Sequence, residues 1–106
     1  MGVNTYVDIE MQVIDNKDMI QRSVFYSSKL MTEQLATSES YQKLKKVVMI
    51  NILNYSLLPE EYECYNKGIL VLDKHREYIL TDLIEYHFIE LNKFRKIKHN
   101  INDKFD

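Results

Sequence analysis

Val47-Val48-Met49-Ile50-Asn51-Ile52-Leu53 is an apolar run interrupted only by Asn51. A short, β-branched run of this kind predicts a strand buried on both faces, as in the middle of a sheet with helices over it. Upstream, residues from Val3 to Val13 alternate in character. Val3, Thr5, Val7, Ile9, Met11 and Val13 fall on one side, and Asn4, Tyr6, Asp8, Glu10 and Gln12 on the other. Period two with β-branched residues on one side predicts a strand whose apolar face is buried.

The segment between these strands carries helical signals. Asp15-Asn16-Lys17-Asp18 reads as a turn and a helix start, with Asp15 or Asn16 as the cap and Asp18 placing negative charge in the first turn. The helix is expected from Asp18 to Ala36. Ile20, Val24, Ser27, Met31 and Leu35 form one stripe at helical spacing, widened by Leu30. Arg22, Tyr26, Lys29 and Glu33 form a second stripe on a different face. Thr37-Ser38-Glu39-Ser40 breaks the pattern, and a short helical turn from Tyr41 to Lys45 is expected next. Strand, helix, buried strand predicts a right-handed crossover joining two parallel neighbours, hence an α/β fold.

The second half is less regular. Asn54 to Glu61, with Pro59, reads as a loop. Tyr62 to Asp73 reads as a strand, with Gly68 a bulge or turn. Lys74-His75-Arg76-Glu77 is polar and expected to be exposed, and Ile84 to Leu91 is a last candidate strand. Helix and strand remain alternatives over this half.

Composition narrows the class. The 106 residues suit one domain, and 45% hydrophobic with 28% charged residues is an ordinary globular balance. Only 2 Gly and 1 Pro argue against a linker or a Gly-rich phosphate loop. Cys64 is the sole cysteine, so no internal disulfide can form and a reducing compartment fits. No stretch approaches the roughly 20 apolar residues of a membrane helix, and the N-terminus lacks a signal-peptide layout. The cytoplasm is therefore the expected location, with no membrane partner.

The net charge of −2 makes no global electrostatic case for nucleic acid. The charge is uneven, however. Lys93, Arg95, Lys96, Lys98 and Lys104 stand against Asp103 and Asp106, so the end of the chain carries 5 − 2 = +3. A solvated terminal helix and a phosphate-contacting tail are the two readings of that bias.

Asp8, Glu10 and Gln12 project from one side of one strand, so their oxygens can converge on a small ion. Hard cations such as Mg²⁺ take oxygen ligands, commonly one or two carboxylates plus waters and a phosphate. Such an ion polarises a phosphoryl oxygen and generates a hydroxide nucleophile. The bland alternative is the wet face of an edge strand. Arg22, Tyr26 and Lys29 offer two cations and a phenol on one helix face, which can meet a phosphate if that face leans toward Glu10. The bland alternative is a solvated face with Lys29 and Glu33 paired. His75, His87 and Cys64 lack zinc spacing. Tyr62, Tyr65 and Tyr78 fit a half-buried sheet surface better than a base-stacking platform.

The order of these pieces resembles a known family. Asp8-Ile9-Glu10-Met11-Gln12-Val13, then Arg22-Ser23-Val24-Phe25-Tyr26-Ser27-Ser28-Lys29-Leu30, is similar to the PD-(D/E)XK nuclease family transposases, also called recombination-promoting nucleases. Tyr41-Gln42-Lys43-Leu44 running into Val47–Leu53, and His87-Phe88-Ile89-Glu90-Leu91, extend the resemblance from about Val7 to Phe94. It implies a partial restriction-endonuclease-like core over residues 1–94, a mixed sheet with the crossover described above, and a basic tail over 95–106. It also implies Mg²⁺- or Mn²⁺-dependent cleavage of DNA. In the family's motif the acidic metal ligand falls on Glu10 and the Lys/Gln position on Gln12, with Asp8 beside them. A Gln cannot supply the positive charge a Lys would, so Arg22 or Lys29, with Tyr26, is expected to take that part.

The family's motif also calls for an Asp on a preceding strand, and Asp8 cannot be it, because it shares a strand with Glu10. The expectation is an N-terminally truncated domain that binds metal weakly and is inactive as this fragment. The alternative is a non-catalytic DNA-binding or self-associating remnant, forming a homodimer through an exposed sheet edge at Val3–Val13. A plain structural domain would be favoured if Glu10 and Arg22 lay on opposite sides of the sheet.

Overall fold

The computed structural model describes residues 5–35 and 40–105. The chain runs β1 (Thr5–Gln12), α1 (Met19–Thr32), a 3-10 turn (Tyr41–Lys43), β2 (Lys46–Leu53), β3 (Tyr65–Val71), β4 (Ile79–Glu90) and α2 (Leu91–Phe105). The strands form one mixed sheet in the order β1-β2-β4-β3. β1 and β4 both run parallel to β2, and β3 returns antiparallel to β4. The α/β class and the crossover between parallel neighbours are as the sequence predicts, and β1 forms an edge.

The crossover is closed by a side chain. Gln34 accepts from the Lys45 backbone N–H at 2.6 Å and donates to the Lys45 carbonyl at 2.9 Å. This bidentate amide ties the segment after α1 to the entry of β2. The helix itself is shorter than the expected Asp18–Ala36 span at both ends. Ala36 lies outside the described residues, as do Val3 and Asn4. Asp18 is the N-cap residue but makes no capping hydrogen bond. Asp15 instead accepts from the Lys17 N–H at 2.8 Å, closing a tight turn in which Lys17 takes a positive φ of 65°.

Two burial expectations are overturned. The apolar side of β1 is the outer one: Val7, Ile9, Met11 and Val13 are 55%, 62%, 70% and 72% exposed. The polar side, with Asp8, Glu10 and Gln12 half-buried, lies beneath α1. β2 is accordingly buried on one face only, through Val47, Met49, Asn51 and Leu53, while Val48, Ile50 and Ile52 are half-exposed. On that outer face, Met11 and Ile52 border Leu91 and Arg95 at the start of α2.

The physical cause lies in which row α1 presents. Its buried residues are Met19, Ser23 and Ser27; of the expected stripe Ser27 is buried, while Ile20 and Val24 stand one residue, or about 100° of helix rotation, away from Met19 and Ser23. Small serines let the helix sit close to the sheet, and their hydroxyls meet polar groups there. The Asn51 side-chain amide donates to Ser23 Oγ at 2.9 Å, and Ser27 Oγ bonds Tyr86 Oη at 2.7 Å. Ile20, Val24 and Phe25 are left 47%, 46% and 65% exposed.

The apolar core is small: Met19, Leu53 and Phe88, with Tyr55, Leu57 and Tyr86 packed around them. It sits at the carboxyl end of β2, under the first turn of α1. Beside it, Lys93 of α2 meets Glu90 at 3.0 Å and donates to the Leu58 and Pro59 carbonyls at 3.2 and 2.7 Å. The Leu57 N–H donates to the same Glu90 carboxylate at 3.2 Å. Lys93 is therefore a structural clamp on the Pro59 loop and is not free for a phosphate.

The second half resolves into a hairpin. β3 starts at Tyr65 because Tyr62 is held in a turn by the Pro59 carbonyl, at 3.0 Å. β4 begins at Ile79, five residues before the expected Ile84. Lys74 to Glu77 form the exposed connection, and the β3–β4 register shifts after Gly68. The basic end is helical, and α2 runs through residue 95 without a break. No described helix is long and apolar enough to cross a membrane.

Candidate metal and phosphate site

Parallel pairing arranges the sheet face beneath α1 in rows. Asp8 neighbours Met49 and then Tyr86, Glu10 neighbours Asn51 and then Phe88, and Gln12 neighbours Leu53 and then Glu90. Paired residues of adjacent strands share a face, so Glu10 and Asn51 stand side by side under Ser23, whose neighbour in α1 is Arg22.

The charges on this face act on each other. The Glu10 carboxyl is raised above its ordinary value, chiefly by partial desolvation. A hydrogen bond with Asp8 and the Asp8 charge add to this, and the Arg22 guanidinium opposes it. Two carboxyls two residues apart on one strand therefore share the face under α1 with a guanidinium close enough to act through its charge, without an ion pair between them. Glu10 and Arg22 are on the same side of the sheet.

Arg22 reaches further. The Tyr55 phenol is raised, first by desolvation and then by the charges of Asp15 and Asp18, again with Arg22 opposing. Tyr55 Oη, Asp18 Oδ1 and Gln12 Oε1 are each buried without a hydrogen-bond partner. These unpartnered oxygens lie toward the N-terminus of α1 and the carboxyl end of β1, the end of parallel strands where ligands usually bind in open α/β sheets.

The remaining candidates divide. Tyr26 is half-buried one turn beyond Arg22, its ring edge-on to Phe25 at a centroid distance of 5.5 Å. Lys29 is exposed, a further turn along α1. His87 lies on the opposite, outer face, where Nδ1 bonds Tyr65 Oη at 2.6 Å and Nε2 bonds Glu85 at 3.0 Å. Glu85 also pairs with Lys46 at 3.0 Å, and these bonds hold its carboxyl below the ordinary range, the His87 contact first. That network staples β2, β3 and β4 together away from the face under α1.

The donor set fits a hard divalent cation in kind. Asp8 and Glu10 supply carboxylate oxygens, and Gln12 supplies an amide oxygen with nothing else to accept from. It is sparse in number: among the described residues no three His, Cys, Asp or Glu side chains gather closely enough to hold a metal. Sequence reasoning singled out Asp8, Glu10, Gln12 and Arg22 and did not single out Asn51, Asp18 or Tyr55, each of which has a buried side-chain oxygen without a hydrogen-bond partner. Asn51 was legible as the one polar residue in the Val47–Leu53 run. Tyr55 carried no signal, because only the turn after β2 brings it against Met19 and Leu53 at the start of α1.

A family model described as PD-(D/E)XK nuclease family transposase matches residues 2–106. No curated protein and no solved structure matches the chain.

Proposed function

Since the chain belongs to the PD-(D/E)XK nuclease family transposases, we propose that the sheet face under α1 is its part of a metal-dependent site for DNA phosphodiester cleavage. Glu10, with Asp8, holds a Mg²⁺ or Mn²⁺ ion, and Arg22 faces the phosphate. The observation that supports this reading is that Asp8, Glu10 and Gln12 are half-buried on the sheet face under α1, the helix that carries Arg22.

A divalent cation there supplies Lewis acidity toward a phosphoryl oxygen and a more acidic bound water. The chain's own groups do the rest. Arg22 offers a planar fork that matches two phosphate oxygens. Gln12 is an acceptor without charge, so the positive charge opposite the phosphate comes from α1. Tyr26 adds a phenolic donor, and Lys29 on the open flank attracts the DNA backbone. With two carboxylates and no third acidic or imidazole ligand gathered with them among the described residues, the cation binds weakly and cleavage by the 106-residue chain alone is slow or nil. The free Cys64 suits action in the reducing cytoplasm.

The test is to incubate the chain with supercoiled plasmid and Mg²⁺ or Mn²⁺, beside Glu10→Ala and Arg22→Ala. The expected result is cation-dependent nicking, or cation-dependent DNA binding, that both substitutions remove. Nicking that persists unchanged in Glu10→Ala would exclude this site.

A second reading is favoured by the exposed outer face and open edge of β1: a non-catalytic module that self-associates. An antiparallel β1–β1 pairing between two copies sets Asp8 and Glu10 near their counterparts, and like charges directly opposite are destabilising. Association by this route should therefore strengthen on acidification or with divalent cation. Light scattering that shows a monomer under all of these conditions removes it.

A further inference from the structure

We infer that Asn51 is a further oxygen donor of the Glu10 cation site, facing it from β2. The inference rests on the functional reading above and adds a residue that neither the family's motif nor the sequence pattern assigns. Asn51 is fully buried, at 0% exposure. Its amide nitrogen has two acceptors, Ser23 Oγ at 2.9 Å and the His87 carbonyl at 3.3 Å. A carbonyl can accept only from the nitrogen end of an amide, so the His87 contact fixes which way the group is turned. The nitrogen is committed to β4 and α1, and the oxygen is left to neither of them.

That oxygen has no hydrogen-bond partner. An orphaned acceptor out of water is destabilising, and a fully buried one calls for an occupant. The neighbour on the β1 side is Glu10, paired with Asn51 in register. Adjacent strands stand about 4.8 Å apart, so the Asn51 and Glu10 side chains stand side by side on the face under α1. Both are oxygen acceptors and neither can satisfy the other while Glu10 is ionised. A hard cation, which takes amide and carboxylate oxygens together, satisfies both. The Ser23 bond has a second effect. It holds the residue next to Arg22 against the sheet, so the same bond fixes the Asn51 amide and the stretch of α1 that carries the guanidinium.

Mn²⁺ alone is the probe, read in the 106-residue chain by site-resolved paramagnetic broadening in NMR and by electron paramagnetic resonance of the free ion. Asn51→Asp, which adds a carboxylate beside Glu10, should tighten Mn²⁺ binding about tenfold or more, and should melt at a higher temperature with Mn²⁺ than without it. Asn51→Leu should weaken binding about tenfold. Ser23→Ala keeps the amide oxygen but loses its latch, and should lower stability with a smaller effect on affinity. If Asn51→Leu is unfolded, the Asn51→Asp affinity and melting shift decide alone. Unchanged affinity in both Asn51 variants, while Glu10→Ala abolishes binding, overturns the role of Asn51 and leaves the Glu10 site standing. Mn²⁺ binding that ignores Glu10→Ala, or no binding by the unsubstituted chain at millimolar ion, overturns both.

Discussion

Glu90 ends β4 and Lys93 lies one helical turn on, and their charged groups meet at 3.0 Å with side chains 0% and 5% exposed. Lys93 also holds the Leu58 and Pro59 carbonyls, and Glu90 takes the Leu57 N–H. One ion pair therefore ties the sheet, the helix after it and the loop across it into a unit. In a chain whose apolar core is so small, this pair has an outsized structural part.

Removing one member leaves the other charge buried. Lys93→Met should cost about 3–5 kcal/mol, a large share of the roughly 5–15 kcal/mol typical of a folded domain. Glu90→Leu combined with Lys93→Met should be more stable than Lys93→Met alone, since no charge is stranded. Urea unfolding midpoints of the three proteins check the order.

Glu10 makes the fold pH-sensitive in a defined direction. Its folded-state pKa lies above the ordinary value, first through desolvation and then through Asp8. The folded state therefore keeps the proton longer than the unfolded state does. Stability is greatest below the unfolded pKa and falls as pH rises through the folded one. Glu10→Gln removes that fall, so the variant should gain stability relative to the parent at about pH 7 and little at about pH 3. Equal differences at the two pH values would count against it.

The opposing influences on Glu10 are separable. Arg22→Met should move the Glu10 titration midpoint upward, and Asp8→Asn should move it downward. NMR titration of the Glu10 side-chain carboxyl carbon reads both shifts. A midpoint indifferent to Arg22→Met would place the guanidinium out of reach of Glu10.

The two faces of the sheet should respond unequally to substitution. Ile9→Thr and Met11→Thr act on side chains 62% and 70% exposed, and each should change stability by no more than about 0.5 kcal/mol. Leu53→Ala, at 0% exposure, should cost about 2–5 kcal/mol. Thermal unfolding measures the contrast, and light scattering on the same Ile9 and Met11 variants shows whether the outer face drives association.

Periodicity alone determined the elements that depend on local spacing. The alternation through Gln12, the helical start after Lys17, the apolar run to Leu53 and the exposed turn at Lys74–Glu77 were all legible, because strand and helix periods are properties of the backbone. The order of the motif residues likewise pointed to the family. Tertiary structure decided which faces meet. Alternation says that Val7 and Glu10 point opposite ways but not which of them faces a helix. That choice fell to Ser23 and Ser27, whose small hydroxyl side chains bring α1 onto the row of Glu10 and Asn51 and leave the apolar row outside. The same contact brought the Arg22 charge within reach of Glu10, and no spacing along the chain encodes it, because the two residues approach only once helix and sheet have packed.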